Sequence, residues 1–218
     1  MSAALFSLAA LATGLAVLAL LVAERREERA GVALAKPLAS AGFLCAAWAA
    51  GATESAYGRA VLLGLVLCFL GDVLLISQRR AGFLAGLVSF LLGHLAFAVA
   101  CLQRGVVLPA SVFSGFVLVP TAILVWRWLG PHVESGMRIP VLAYIAVITV
   151  MVALAIGSVG FRTSVTLALG ALAFFLSDLS VARDRFVAPG FVNRAWGLPL
   201  YYASVLLLAA STASASTG

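Results

Sequence analysis

Apolar runs and short polar breaks alternate along the whole chain, and the runs come in lengths suited to helices that cross a bilayer. Spanning a hydrocarbon core of about 30 Å takes roughly 20 apolar residues in a helix. That ruler predicts eight helices, near Ala4–Ala23, Pro37–Gly51, Ala60–Ser77, Gly82–Leu102, Val107–Leu129, Pro140–Val159, Thr163–Ala182 and Trp196–Ala210. The second and the last are the shortest. The expected architecture is an all-α integral membrane protein, with residues 1–218 forming one polytopic domain.

Composition supports the pattern. Of 218 residues, 64% are hydrophobic and the mean hydropathy is +1.15, so no stretch is polar enough to be a separate soluble domain. The 14 Lys and Arg are scattered singly between apolar runs and make no continuous basic face, which excludes nucleic-acid binding as a main role. Their distribution carries topology instead, because cytoplasmic loops hold the excess of positive charge. Loops one, three, five and seven hold 11 of the 14: Arg25, Arg26, Arg29 and Lys36, then Arg79 and Arg80, then Arg127 and Arg138, then Arg183, Arg185 and Arg194. Only Arg59, Arg104 and Arg162 fall on the other side. Both termini are therefore expected outside, in a multi-pass protein that would sit in the inner membrane of a bacterium. Trp126, Trp128 and Trp196 stand where an interfacial aromatic belt belongs. The first run lacks a basic segment before it and is read as a retained helix rather than a signal peptide.

A short duplication is visible. Phe69-Leu70-Gly71-Asp72 in the third helix recurs as Phe175-Leu176-Ser177-Asp178 in the seventh, and Lys36-Pro37 has a looser echo in Arg138-Ile139-Pro140. Two four-helix repeats of the same orientation would produce this pattern.

Asp72 and Asp178 are the two carboxylates inside predicted spans, and each costs about 2.5–3.5 kcal/mol near a helix centre on insertion scales. Running the helices inward places both in the cytoplasmic half, at the depth where Lys36 opens the second helix and Tyr201 and Tyr202 enter the eighth. His94 lies nearer the middle of the fourth helix, beside a stripe of Gly82, Gly86, Ser89 and Gly93 that lets another helix approach closely. Each has a plainer reading as well. The aspartates and His94 can serve as interhelical hydrogen-bond partners, Lys36 as a snorkelling anchor and the tyrosines as belt residues. Cys45, Cys68 and Cys101 show no metal spacing and read as packing residues. One histidine in a span cannot make a catalytic zinc site with three protein ligands, and neither a phosphate loop nor a Gly-x-Ser-x-Gly elbow occurs.

Taken in order, Lys36-Pro37, Leu70-Gly71-Asp72, Gly93-His94, Ser177-Asp178 and Tyr201-Tyr202 resemble the YhhN family of membrane proteins, which includes the lysoplasmalogenases. The resemblance runs from the first helix to the eighth and implies hydrolysis of the vinyl ether bond of lysoplasmalogens, releasing a fatty aldehyde and a glycerophospho-base. Where the family's last helix often reads Tyr-x-x-Gln, Ser204 stands here. Vinyl ether cleavage protonates a carbon, forms an oxocarbenium ion and adds water, so two carboxyls suffice, one protonated as acid and one ionised to stabilise the cation, as in glycoside hydrolysis. On that reading Asp72 and Asp178 are catalytic, His94 positions water or donates a proton, and Lys36, Tyr201 and Tyr202 bind the lysophospholipid, with Lys36 on its phosphate. No metal or organic cofactor is required. Paired intramembrane carboxylates also suit a proton-coupled transporter, an intramembrane aspartyl protease or a noncatalytic lipid-binding scaffold.

Overall fold

The computed structural model describes residues 3–77, 79–159 and 165–213. Eight α-helices account for most of them: α1 (Ala3–Arg25), α2 (Arg29–Ala49), α3 (Ala56–Leu74), α4 (Arg80–Arg104), α5 (Leu108–Leu129), α6 (Arg138–Gly157), α7 (Thr166–Ala182) and α8 (Phe191–Ala210). Short 3₁₀ turns at Gly130–His132 and Ser135–Met137 join α5 to α6, and a π-helical turn, Arg183–Val187, continues α7. Seven of the eight are long and apolar enough to cross a membrane, α7 together with its π turn. The eighth is long enough, but Asn193, Arg194, Tyr201 and Tyr202 lower its apolarity below that of a self-sufficient span. The chain is a multi-pass integral membrane protein.

Short connections make sequential helices antiparallel neighbours. The α1–α2, α3–α4, α5–α6 and α7–α8 connections gather at one end of the bundle, the arginine-rich end. At the opposite end, Tyr57 at the start of α3 hydrogen-bonds Ser211 beyond α8 at 2.6 Å, and Ser55 caps α3 by accepting from the Gly58 N–H at 2.9 Å. Arg162 and Thr163 lie outside the described residues.

Most helices begin earlier or end later than an apolar ruler predicts. Arg29 and Arg80 lie in first turns, and Arg25 and Arg104 in last turns, because charged side chains there reach water while the backbone stays helical. Two expectations change as a result. Lys36 is the eighth residue of α2 rather than its opening, and Tyr201 and Tyr202 lie midway along α8. Asp72, by contrast, is two residues from the end of α3. The five polar side chains do not share a depth counted from their helix ends; they meet because α3 stops short while α2 and α8 run on past it.

Small residues bring α3 and α4 together. A Cβ on Gly93 would stand 3.2 Å from the Gly64 carbonyl oxygen and 3.3 Å from the Cys68 Sγ, and Ser89 donates to the Leu67 carbonyl at 2.7 Å. The predicted stripe on α4 thus faces α3, whereas His94, one residue on, points around the helix towards α6 and α7. The interior is dominated by Phe43, Phe97, Phe174, Leu20, Leu65 and Met151. Outward faces are apolar too, as lipid-facing surface requires: Phe113 and Phe116 on α5 are 75% and 73% exposed. Cys68 and Cys101 are buried, but Cys45 faces outward and packs no core.

Gly93→Val should destabilise the protein by about 1–3 kcal/mol, because the blocking atom is the rigid Gly64 backbone rather than a side chain that can turn away. Thermal unfolding of detergent-solubilised protein reads this as a lowered midpoint; an unchanged midpoint would refute the α3–α4 packing.

Candidate active site

Asp72 is 2% exposed and its carboxylate is met from two helices. From α2, Lys36 places its Nζ 3.7 Å from Oδ1, and Ser40, one turn later, donates to Oδ2 at 2.7 Å. From α8, the Tyr201 hydroxyl donates to the same Oδ2 at 2.7 Å. With its proton committed to Asp72, Ser40 accepts from the Tyr202 hydroxyl 3.2 Å away. A carboxylate offers about four lone-pair sites, so three donors leave one open. One ammonium and two hydroxyls thus converge on a single buried carboxyl.

Asp178 has a different set. Its Oδ2 accepts from the Tyr144 hydroxyl of α6 at 2.8 Å and lies 3.2 Å from Nε2 of His94 on α4. His94 is fully buried, and its Nδ1 has no hydrogen-bond partner among the described residues. The tautomer with the proton on Nε2 leaves no orphaned donor, so His94 donates to Asp178. The imidazole is held edge-on to Phe174, with ring centroids 4.6 Å apart, and at 5.1 Å from Tyr144. Oδ1 of Asp178 carries no hydrogen bond from the described residues, and the carboxyl is 19% exposed against 3% for Asp72. Phe174 links the two arrangements, since its ring also meets Tyr201 edge-on at 5.3 Å.

Both aspartates line one cavity of about 980 Å³ at the arginine-rich end. Its wall is mixed. Lys36, Asp72, Tyr144, Ser177, Asp178 and Tyr201 supply polar groups, and Leu87, Val125, Leu129, Ile145 and Ile148, from α4, α5 and α6, supply an apolar face. Charged residues of the α1–α2 and α7–α8 connections ring the mouth. Arg194 clamps it by reaching Glu24 of α1 at 2.9 Å and Asp184 of the π turn at 3.2 Å. Asn193 donates to the same Asp184 at 3.0 Å and receives a short hydrogen bond from Arg183. Asp184 is therefore part of the clamp.

The cavity brings together Asp72, Asp178, Lys36 and Tyr201. His94 stands behind Asp178, and Tyr202 behind Ser40. Lys36 is committed to Asp72 rather than free for a phosphate. Ser204 is turned away, donating to the Tyr201 carbonyl at 2.6 Å. Ser40 and Tyr144 were not expected. Ser40 follows Lys36 by four residues, the spacing that puts both on one face. Tyr144, which shares the apolar run of α6 with one other hydroxyl, Thr149, offered no more signal than its polarity.

Removing one partner of a buried ion pair strands the other. Lys36→Met should cost about 3–5 kcal/mol, and the double variant Lys36→Met/Asp72→Leu should recover much of that loss. Denaturant unfolding in detergent measures both; additive losses would show that the two side chains do not interact.

No solved structure matches the chain. Among curated proteins it is 31% identical over 157 residues to the bovine (Bos taurus) lysoplasmalogenase TMEM86A and 29% identical to the human (Homo sapiens) one, in each case over 69% of this chain and 64% of the relative. It is also 32% identical over 154 residues to a lysoplasmalogenase of Mycobacterium bovis, covering 66% of this chain and 55% of that protein. The chain thus matches less than two thirds of the length of these relatives. The profile of the YhhN family matches residues 31–212, a stretch that holds both aspartates and every group bonded to them, and on that match the chain belongs to the YhhN family.

Proposed function

We propose that the chain is a lysoplasmalogenase, an ether hydrolase that cleaves the vinyl ether bond of lysoplasmalogens. The observation that carries this reading is the amphipathic chamber, on which the open carboxyl oxygen of Asp178 and the three-donor carboxyl of Asp72 converge. An amphiphile fits such a wall, with its chain on the α4–α6 face and its polar part among the groups of α2, α3, α7 and α8. That the relatives are lysoplasmalogenases supplies the reaction. The charge bias of the connections supports a chamber in the cytoplasmic half of the membrane with both termini outside.

The surroundings of the two carboxyls divide their roles. Asp178 acts as the acid: with Oδ2 held by Tyr144 and His94, Oδ1 is the oxygen left free to hand a proton to the vinyl carbon next to the alkyl chain. The π electrons of the double bond form the new C–H bond, and the ether carbon becomes an oxocarbenium ion. Tyr144 and His94 stabilise the carboxylate left on Asp178. Asp72, anionic and held by Lys36, Ser40 and Tyr201, faces the cation and uses its remaining lone pair to take a proton from the attacking water. The resulting hemiacetal breaks its bond to the glycerol oxygen, which takes that proton from Asp72, and the hydroxyl proton returns to Asp178. One water is consumed, and an aldehyde and an alcohol leave.

The arrangement also fits two related halves. Asp72 is bonded by α2, of its own half, and by α8, the last helix of the other; Asp178 is bonded by α6, of its own half, and by α4. We propose that the motif pair at Asp72 and Asp178 reflects this duplication.

Aldehyde release from 1-alkenyl lysophosphatidylethanolamine tests the reading. Asp72→Asn and Asp178→Asn should each lower kcat about 10²–10⁴-fold, and Tyr144→Phe about 10-fold or more through loss of a charge-assisted hydrogen bond. A 1-acyl lysolipid should be spared. Full activity in both aspartate variants would end the mechanism.

A further inference from the structure

Six charged side chains line the mouth of the chamber: Glu24, Glu27, Arg29, Asp184, Arg185 and Arg194. Three of them satisfy one another, because Arg194 binds Glu24 and Asp184 together. The other three do not. Among the described residues no group of opposite charge lies within ion-pair distance of Glu27, Arg29 or Arg185. Two cations and one anion are thus left facing the same opening.

Their placement is not explained by local stability. Arg29 stands in the first turn of α2, where the helix dipole disfavours a cation. Glu27 has a φ of 57°, a left-handed conformation that a side chain other than glycine seldom adopts. Arg185, on the π turn, is held by its contact with the Phe83 ring, the guanidinium carbon 4.4 Å from the centroid, which fixes it at the mouth without neutralising it. The Arg194 clamp holds the end of α1 against the π turn, so the unpaired charges are carried on connections tied to each other.

We propose that this mouth is a subsite for a zwitterionic phospho-amine headgroup, with Arg29 and Arg185 on the phosphate and Glu27 on the ammonium. The assignment rests on the reading of the chamber as a lysolipid site and names the part of the substrate that the aspartates do not touch. Charge selects the ligand class. A bare phosphate has no use for Glu27, and a neutral glycerol ether has no use for either arginine. Reach agrees: Lys36, at the level of Asp72, is seven residues beyond Arg29, about 10 Å of helix rise. Standard bond lengths put the phosphorus of a glycerophospholipid roughly 6 Å from its ether oxygen, and an arginine side chain covers the remainder. Glu27 and Arg29 fall just before residues 31–212, so this subsite is built partly from segments outside the family match.

Binding, rather than turnover, separates this subsite from the chemistry. The probes are saturated 1-alkyl analogues, which cannot be hydrolysed: 1-alkyl-glycerophosphoethanolamine, 1-alkyl-glycerophosphate and 1-alkylglycerol, titrated into detergent-purified full chain. Wild type should bind them in that order of falling affinity. Glu27→Gln should erase the preference for the amine-bearing lipid over the phosphate lipid, and Arg29→Gln/Arg185→Gln should erase the preference for the phosphate lipid over alkylglycerol, each about a tenfold change in Kd. Equal weakening for all three ligands, or no change in either variant, would overturn the proposal. Chain-free phosphoethanolamine binding as tightly as the lipid would overturn it in favour of a soluble phospho-amine. The expected ranking in a protein that releases no aldehyde would leave the headgroup subsite standing and remove the hydrolase reading instead.

Discussion

Burial of a carboxylate among apolar helices is the constraint on which the interior depends. Asp72 would be costly in hydrocarbon by itself, and α2 and α8 exist in their present positions partly to match it: Lys36 and Ser40 approach on one side and Tyr201 on the other. The helix that carries Tyr201 is also the one too polar to be a convincing span, and its polarity is spent on the carboxylate and on the Arg194 clamp rather than on lipid. Removing the charge from the centre would thus take away the reason for α8's composition as well.

Helix length turns this cluster into a chamber. Because α3 ends two residues after Asp72 while α2 and α8 continue, the arginine-rich end is a well rather than a flat surface. Tight packing of α3 on α4 through Gly64 and Gly93 leaves that pair no free volume, so the space falls between it and the α5–α6 side. The π turn at Arg183–Val187 widens the end of α7 and carries Asp184 and Arg185 to the opening. Fold and site are in this sense one feature.

Phe174 deserves its place between the two carboxyl groups. Its ring stands edge-on to His94 and to Tyr201, so movement of either partner is felt by the other through a packed aromatic side chain.

Much of the architecture was legible in the order of residues. Apolar run length alone called for eight helices, since spanning hydrocarbon is a matter of counting, and cost alone marked Asp72 and Asp178, since a charge in lipid needs a reason. His94, Lys36 and the tyrosines stood out by the same rule. Partnership did not. Nothing in the chain order says that Lys36 belongs to Asp72 and His94 to Asp178, that Tyr144 closes the second set, or that Ser204 turns back on its own helix. Helix ends were missed because charged first turns look like loops to a hydropathy ruler. The sequence by itself determined the membrane class and which polar residues had to be compensated, because both follow from solvation free energies summed over local composition. The pairings and the chamber, with its unpaired charges at the mouth, were decided only by tertiary structure, because they depend on how eight helices rotate and slide against one another, and apolar periodicity leaves both freedoms open.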